Sequence, residues 1–245
     1  MNYEFYGSGQ KIILFLHGWG GSTLSFKWFA DCLQTDFRVF NLDFCGFGKS
    51  LEPQTPMGVG DYAQKVKDLL LKEEVTKCYV VAHSFGGRVA LKLCEIFDVE
   101  KLILVDSAGI KPKFSFKKFI KIEAYKCKKL LVKLGLKNKK CLDNAGSDDY
   151  RVLSDSMKKT FVKVIQEDLS VCAQNVKCET LIVWGEKDKE TPLYMARKLN
   201  KLIKNSELVV LENTGHFCYL EKPALFLQMI TIFLGVNYDY GQYIA

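Results

Sequence analysis

Apolar residues gather in short unbroken runs separated by longer amphipathic stretches. Ile12-Ile13-Leu14-Phe15-Leu16, Phe37 to Leu42, Cys78 to Ala82, Leu102 to Val105, Leu181 to Trp184 and Leu208 to Leu211 are each four to six residues long. They are rich in β-branched and aromatic side chains. Continuous runs of this kind suit strands buried on both faces, as in a parallel sheet covered by helices. Helical patterns lie between them. Asp61 and Gln64 stand at capping-box spacing before Val66, Leu69, Leu70 and Leu71. Val89, Ala90, Leu93, Cys94 and Phe97 share one face of Phe85 to Phe97. Leu193 to Ile203 and Pro223 to Leu234 follow the same pattern, with Pro223 suited to a helix start. This alternation predicts an α/β fold with a doubly wound, mostly parallel sheet. It breaks between Lys111 and Cys178, where helical stretches come without a clear strand. The expected organisation is a core of residues 1–110 and 179–245 with a helical cap, 111–178, over the carboxyl edge of the sheet. Open α/β folds bind ligands at that edge.

Composition narrows the class. A chain of 245 residues, 48% apolar and 26% charged, fills a large core and excludes wholesale disorder and fibrous repeats. No apolar stretch approaches the roughly 20 residues of a membrane-spanning helix. The start, Met1-Asn2-Tyr3-Glu4, lacks the basic and apolar segments of a signal peptide. A cytoplasmic protein without stable membrane insertion is therefore expected. Nine cysteines occur singly, none at C-x-x-C spacing, and their number is odd. That predicts reduced thiols rather than a zinc site or a disulfide framework, and no metal is expected.

Charge is unevenly placed. The net charge is +7, yet Lys111 to Lys140 holds 12 lysines against one acid, Glu123. The rest of the chain, with 23 basic and 27 acidic residues, is mildly acidic. Aromatic and aliphatic residues such as Phe114, Phe116, Phe119, Tyr125 and Leu130 interleave with the lysines. The pattern predicts amphipathic helices with a solvated basic face, or a docking surface for an acidic partner or anionic lipid. No nucleic-acid module surrounds it, so nucleic acid is not an expected partner.

The segment Val80-Val81-Ala82-His83-Ser84-Phe85-Gly86-Gly87 runs from a strand through a serine into a helix. That is the layout of a nucleophile elbow, G-x-S-x-G, with Ala82 in place of the first glycine. A serine needs a base, and the chain has three histidines. His83 adjoins Ser84 and should point away from it, while His17 ends the first strong strand. His216, in Asn213-Thr214-Gly215-His216-Phe217 after a strand, is the expected general base. An orienting carboxylate is expected from Asp188, in the acidic loop after Leu181 to Trp184. Asp106 is its rival, since it also ends a strand. The order Ser84, Asp188, His216 fits the elbow architecture. The backbone N–H groups of Phe85 and Trp19, the latter in His17-Gly18-Trp19-Gly20-Gly21, are the expected oxyanion hole.

Two further matches fail. Gly48-Lys49-Ser50 lacks a P-loop's first glycine, since Asp43 stands there, and Gly58-Val59-Gly60-Asp61-Tyr62-Ala63 follows a proline-containing loop instead of a strand.

Taken together, these motifs resemble the α/β-hydrolase family along nearly the whole chain. Asp43-Phe44-Cys45-Gly46-Phe47-Gly48-Lys49-Ser50 is similar to the family's D-x-x-G-x-G-x-S loop, to which no catalysis is assigned. The resemblance implies a cofactor-free serine hydrolase with Ser84 as nucleophile and a small acyl ester or thioester as substrate. Leu16-His17-Gly18-Trp19-Gly20 and Gly46-Phe47-Gly48 also resemble pimeloyl-carrier-protein methyl ester esterases, although His83 stands where those enzymes often have tryptophan. That resemblance would dock an acidic acyl carrier protein on Lys111 to Lys140. The alternatives on the same triad are a C–C bond hydrolase and an aminopeptidase. A non-catalytic ligand-binding member of the fold is the alternative of a different class.

Overall fold

The structure is a computed structural model, and it describes residues 1–111, 132 and 153–236. Among the described residues, seven strands form one sheet in the order β1-β3-β2-β4-β5-β6-β7. They are β1 (Tyr3–Tyr6), β2 (Lys11–Leu16), β3 (Phe37–Leu42), β4 (Lys77–His83), β5 (Asp98–Val105), β6 (Glu179–Gly185) and β7 (Ser206–Leu211). Only β1 runs antiparallel, against β3. The six expected runs are the cores of β2 to β7. β1 escaped the pattern because it is four residues long and half-buried throughout, so it carries no apolar run.

Alternate side chains of each strand enter opposite layers. One layer holds Leu14, Leu16, Val80, Ala82, Leu102, Leu104, Ile182 and Trp184, covered by helices α2 (Val59–Lys72) and α3 (Phe85–Ile96). The other holds Ile13, Phe15, Val81, Ile103, Val105 and Val183, covered by α1 (Lys27–Leu33) and the last helix. Burial on both faces explains why these strands read as unbroken apolar runs. The expected capping box shifts by one turn. Helix α2 is capped at Gly58, whose N–H donates to the Asp61 carboxylate at 2.7 Å. Asp61 is thus the third helical residue, and Gln64 turns to Asp68 instead. Gly58 has no side chain to close the near half of the box, so a search for a polar first member lands on Asp61.

Beyond β5, the described chain forms α4 (Asp155–Gln166) and α5 (Ser170–Asn175) before β6. It continues as α6 (Tyr194–Leu202), α7 (Cys218–Glu221) and α8 (Pro223–Leu234). Helix α4 lies on the loop before α2: the Met57 N–H donates to Thr160 Oγ1 at 3.0 Å and Lys163 Nζ to the Pro56 carbonyl at 2.9 Å. Helix α5 packs on α3 and α6. Apart from Lys111 and residue 132, the lysine-rich segment expected to dock a partner lies outside the described residues. Seven cysteines are described, all free thiols and five of them buried. Among the described residues no helix is long and apolar enough to cross a membrane.

Candidate active site

Strands β2, β4, β5, β6 and β7 are mutually parallel, so the loops that follow them leave from one edge. Strand order reverses between β2 and β4, which is where ligands bind in such sheets. At that point β4 ends on His83 and α3 begins on Phe85, leaving Ser84 alone on the turn. Its backbone has φ 48° and ψ −109°, outside the regions L-residues favour. Such a conformation costs on the order of 1–3 kcal/mol and persists only where neighbours hold it. Here the Ser84 N–H donates to the Val105 carbonyl at 3.0 Å, and its own carbonyl accepts from Gly87 and Ala108. Sheet and helix must also come close together, since a Cβ on Gly86 would be driven into the Leu16 carbonyl. The second glycine of the elbow pattern, Gly86, has this contact as its cause.

The three residues expected to act together meet. Ser84 Oγ lies 3.0 Å from His216 Nε2, and His216 Nδ1 lies 2.8 Å from Asp188 Oδ2. With its Nδ1–H donating to Asp188, the neutral ring of His216 presents the Nε2 lone pair to the serine hydroxyl. The carboxyl of Asp188 has no exposed side-chain surface, and the His216 side chain is 8% exposed. Burial would push the Asp188 carboxyl up, but the hydrogen bonds from His216 and Thr191 outweigh it and hold it below its ordinary value. Burial likewise works to lower His216, and it is outweighed by the bond and charge of Asp188, with Glu190 and Asp106 adding to them. The imidazole is held above its ordinary 6.5.

Asp106 does not touch His216. Its two carboxylate oxygens accept the N–H of Gly185 at 2.7 Å and of Cys218 at 3.2 Å, pinning the ends of β6 and α7. Burial, aided by the charge of Asp188, pushes its carboxyl up to about 7. The other two histidines are framework groups. His17 Nδ1–H donates to the Gly18 carbonyl at 2.7 Å and its Nε2 accepts the Phe44 N–H at 3.1 Å. Burial lowers it to about 4. His83 turns from Ser84, as expected, and its Nε2–H donates to the His216 carbonyl at 2.8 Å. Burial lowers it to about 3.

The loop of Trp19 adjoins the elbow: a Cβ on Gly18 would meet the His83 ring and approach the Ser84 Cβ. Phe85 N–H is the first of α3, where no carbonyl of the helix can accept it. The Trp19 ring packs against Phe47, Phe85 and, on α4, Phe161, with centroids 4.8, 5.3 and 5.0 Å apart. Asp43 receives the N–H groups of Thr23 and Lys49 and the Asn2 side chain, so the expected structural loop ties three segments together.

Two residues were missed in the sequence. Thr191 donates its hydroxyl to Asp188 Oδ2 at 2.6 Å, while the N–H groups of Glu190 and Thr191 bond Oδ1. An Asp-x-x-Thr spacing is a turn signature that could have pointed to it. The carboxylate of Glu190 stands 3.4 Å from His216 Nε2, and no sequence signal announced that. Among the described residues no cluster of three or more His, Cys, Asp or Glu could hold a metal.

Residues 13–229 match the model of the alpha/beta hydrolase family. That match spans most of the chain, and the protein belongs to this family. The AB hydrolase superfamily protein YisY of Bacillus subtilis is 30% identical, across 94% of this chain and 93% of that protein. A 2-hydroxy-6-oxononadienedioate/2-hydroxy-6-oxononatrienedioate hydrolase of Pseudomonas putida is 26% identical, across 96% and 91%. The fold is also similar to that of an esterase from Exiguobacterium antarcticum, with a TM-score of 0.74, 24% identity and coverage of 95% and 94%.

Proposed function

We propose that this protein is a serine hydrolase that cleaves carboxylic esters or thioesters through an acyl-enzyme on Ser84. The observation that carries the reading is the unbroken line from Ser84 Oγ through His216 to Asp188, with links of 3.0 and 2.8 Å. His216 Nε2 takes the hydroxyl proton as Ser84 Oγ attacks the acyl carbon. The N–H groups of Phe85 and Trp19 hold the oxyanion, and each such donor is worth about 10²–10³ in rate. The imidazolium, steadied by Asp188, then returns the proton to the leaving alcohol or thiol. Water enters by the same base and releases the acid. No cofactor takes part. Residues 111–178 serve as a cap, with α4 over the loops at the sheet's carboxyl edge and Phe161 against Trp19.

A chain-length series of p-nitrophenyl esters, run on the wild type and on Ser84→Ala at matched concentration, tests the reading. Turnover that falls about 10³-fold or more in the variant, with the fold retained, supports it. A folded wild type inactive on every ester overturns it. A second reading, C–C bond hydrolysis on the same three residues, is favoured by the 26% identity to the Pseudomonas putida hydrolase. Turnover of a vinylogous 1,5-diketone with no ester turnover would select it.

A further inference from the structure

The acid beside the base nitrogen has no part in the triad. Glu190 lies on the loop between β6 and α6, two residues past Asp188. Its Oε2 is 3.4 Å from His216 Nε2, the atom that also faces Ser84 Oγ at 3.0 Å. The Asp188 carboxylate is fully enclosed beneath the ring, whereas the Glu190 side chain is 70% exposed. One carboxylate thus supports the ring from below, and the other stands at its open end. Among the described residues, the only ion-pair partner of Glu190 is His216. The nearby Lys187 is turned to Asn213 Oδ1 at 2.6 Å. Among the described residues no lysine forms an ion pair with this carboxylate.

Its position fixes which half of a substrate feels it. The proposed reaction has Nε2 hand its proton to the departing atom, so a group beside Nε2 lies on the leaving-group side. We infer that Glu190 selects substrates by charge, favouring esters or thioesters whose leaving alcohol or thiol carries a cation such as an ammonium group and disfavouring anionic ones. The inference rests on Ser84 and His216 acting as proposed. A single charge about 5 Å away in wet surroundings alters relative rates roughly 3–10-fold.

The test compares butyrylthiocholine with its neutral isostere, 3,3-dimethylbutyl thiobutyrate, on the wild type, Ser84→Ala, Glu190→Gln and Glu190→Lys. The readout is the ratio of kcat/KM for the two thioesters. The expected ratio drops roughly 3–10-fold in Glu190→Gln and further in Glu190→Lys, and any change in the base itself cancels because both thioesters feel it alike. Added salt should shrink the wild-type preference. The phosphonothiolate pair with the same two leaving groups reports capture by Ser84 without deacylation, and should give the same order. A ratio equal in the wild type and Glu190→Gln, with turnover still dependent on Ser84, overturns the charge selection alone. Turnover that survives in Ser84→Ala overturns the triad reading and this inference with it.

Discussion

Of the three histidines at one edge of the sheet, burial keeps two neutral and carboxylates hold the third above its ordinary value. His17 and His83 each give a ring proton to a backbone carbonyl inside the protein, and burial keeps both neutral. His216 has carboxylates at both nitrogens, which hold its proton against burial. A base raised above its ordinary 6.5 is protonated and idle below that value. Activity should therefore fall as pH drops through a point above about 6.5. Asp188, Asp106 and Glu190 all raise His216, while the neighbouring His83 is neutral. Removing one of these charges in Glu190→Gln should move the acid limb of the kcat/KM profile to lower pH. A pH–rate series from about pH 5 to 9 on both proteins checks this. The choice of His216 was legible because only three histidines exist and one follows a strand in a glycine-bearing loop. Thr191 was within reach through its Asp-x-x-Thr spacing, whereas the place of Glu190 depends on how the loop folds back on Asp188, which spacing alone does not carry.

At the scale of elements, the elbow was readable because its demands are steric. A strand, one strained residue and a helix need a small residue where α3 crosses β2, and Gly86 occupies that crossing. Gly86→Ala should destabilise the fold by about 3 kcal/mol, at the upper end of overpacking, since backbone has to move. Thermal or denaturant unfolding measures it. The start of α2 was misplaced because its cap is Gly58, a residue whose backbone alone does the work. Asp106 was weighed as a catalytic acid since it ends a strand. Its carboxylate instead joins the end of β6 to the start of α7, a role that only the folded sheet defines. Burial gives this group a folded-state pKa of about 7, above its ordinary 3.8. The folded state then binds a proton that the unfolded chain has lost. Its contribution is full below about pH 4 and declines as pH rises towards 7. Asp106→Asn abolishes that titration, so its unfolding free energy should improve relative to the wild type between pH 4 and 7. Paired denaturant curves across that range would show a constant difference if the assignment were wrong.

For the molecule as a whole, strand order was beyond reach of the pattern while strand identity was not. Apolar runs report burial on both faces, which β2 to β6 have, while the edge strand β7 shows the same run only partly buried. Pairing depends on contacts far apart in sequence. The clearest case is β5 and β6, which lie side by side in register from Lys101 opposite Glu179 to Val105 opposite Val183. The edge strand β1 needed the antiparallel partner β3 to exist at all.

The adjacency of β5 and β6 has a consequence for how such a protein can change. The chain leaves the sheet at Val105 and returns at Glu179, and both points are held by the sheet, through Val105 opposite Val183 and Lys101 opposite Glu179. The entropy of closing the excursion grows only with the logarithm of its length, by about 0.6 kcal/mol for each doubling. The scaffold is therefore nearly indifferent to how long that excursion is. Exchanging residues 112–152 for the corresponding stretch of a relative should redirect ester chain-length preference while leaving the unfolding midpoint within a few degrees. On the proposed function the protein is then a socket, in which new specificities can be tried by lineage or laboratory without rebuilding the part assigned to the chemistry.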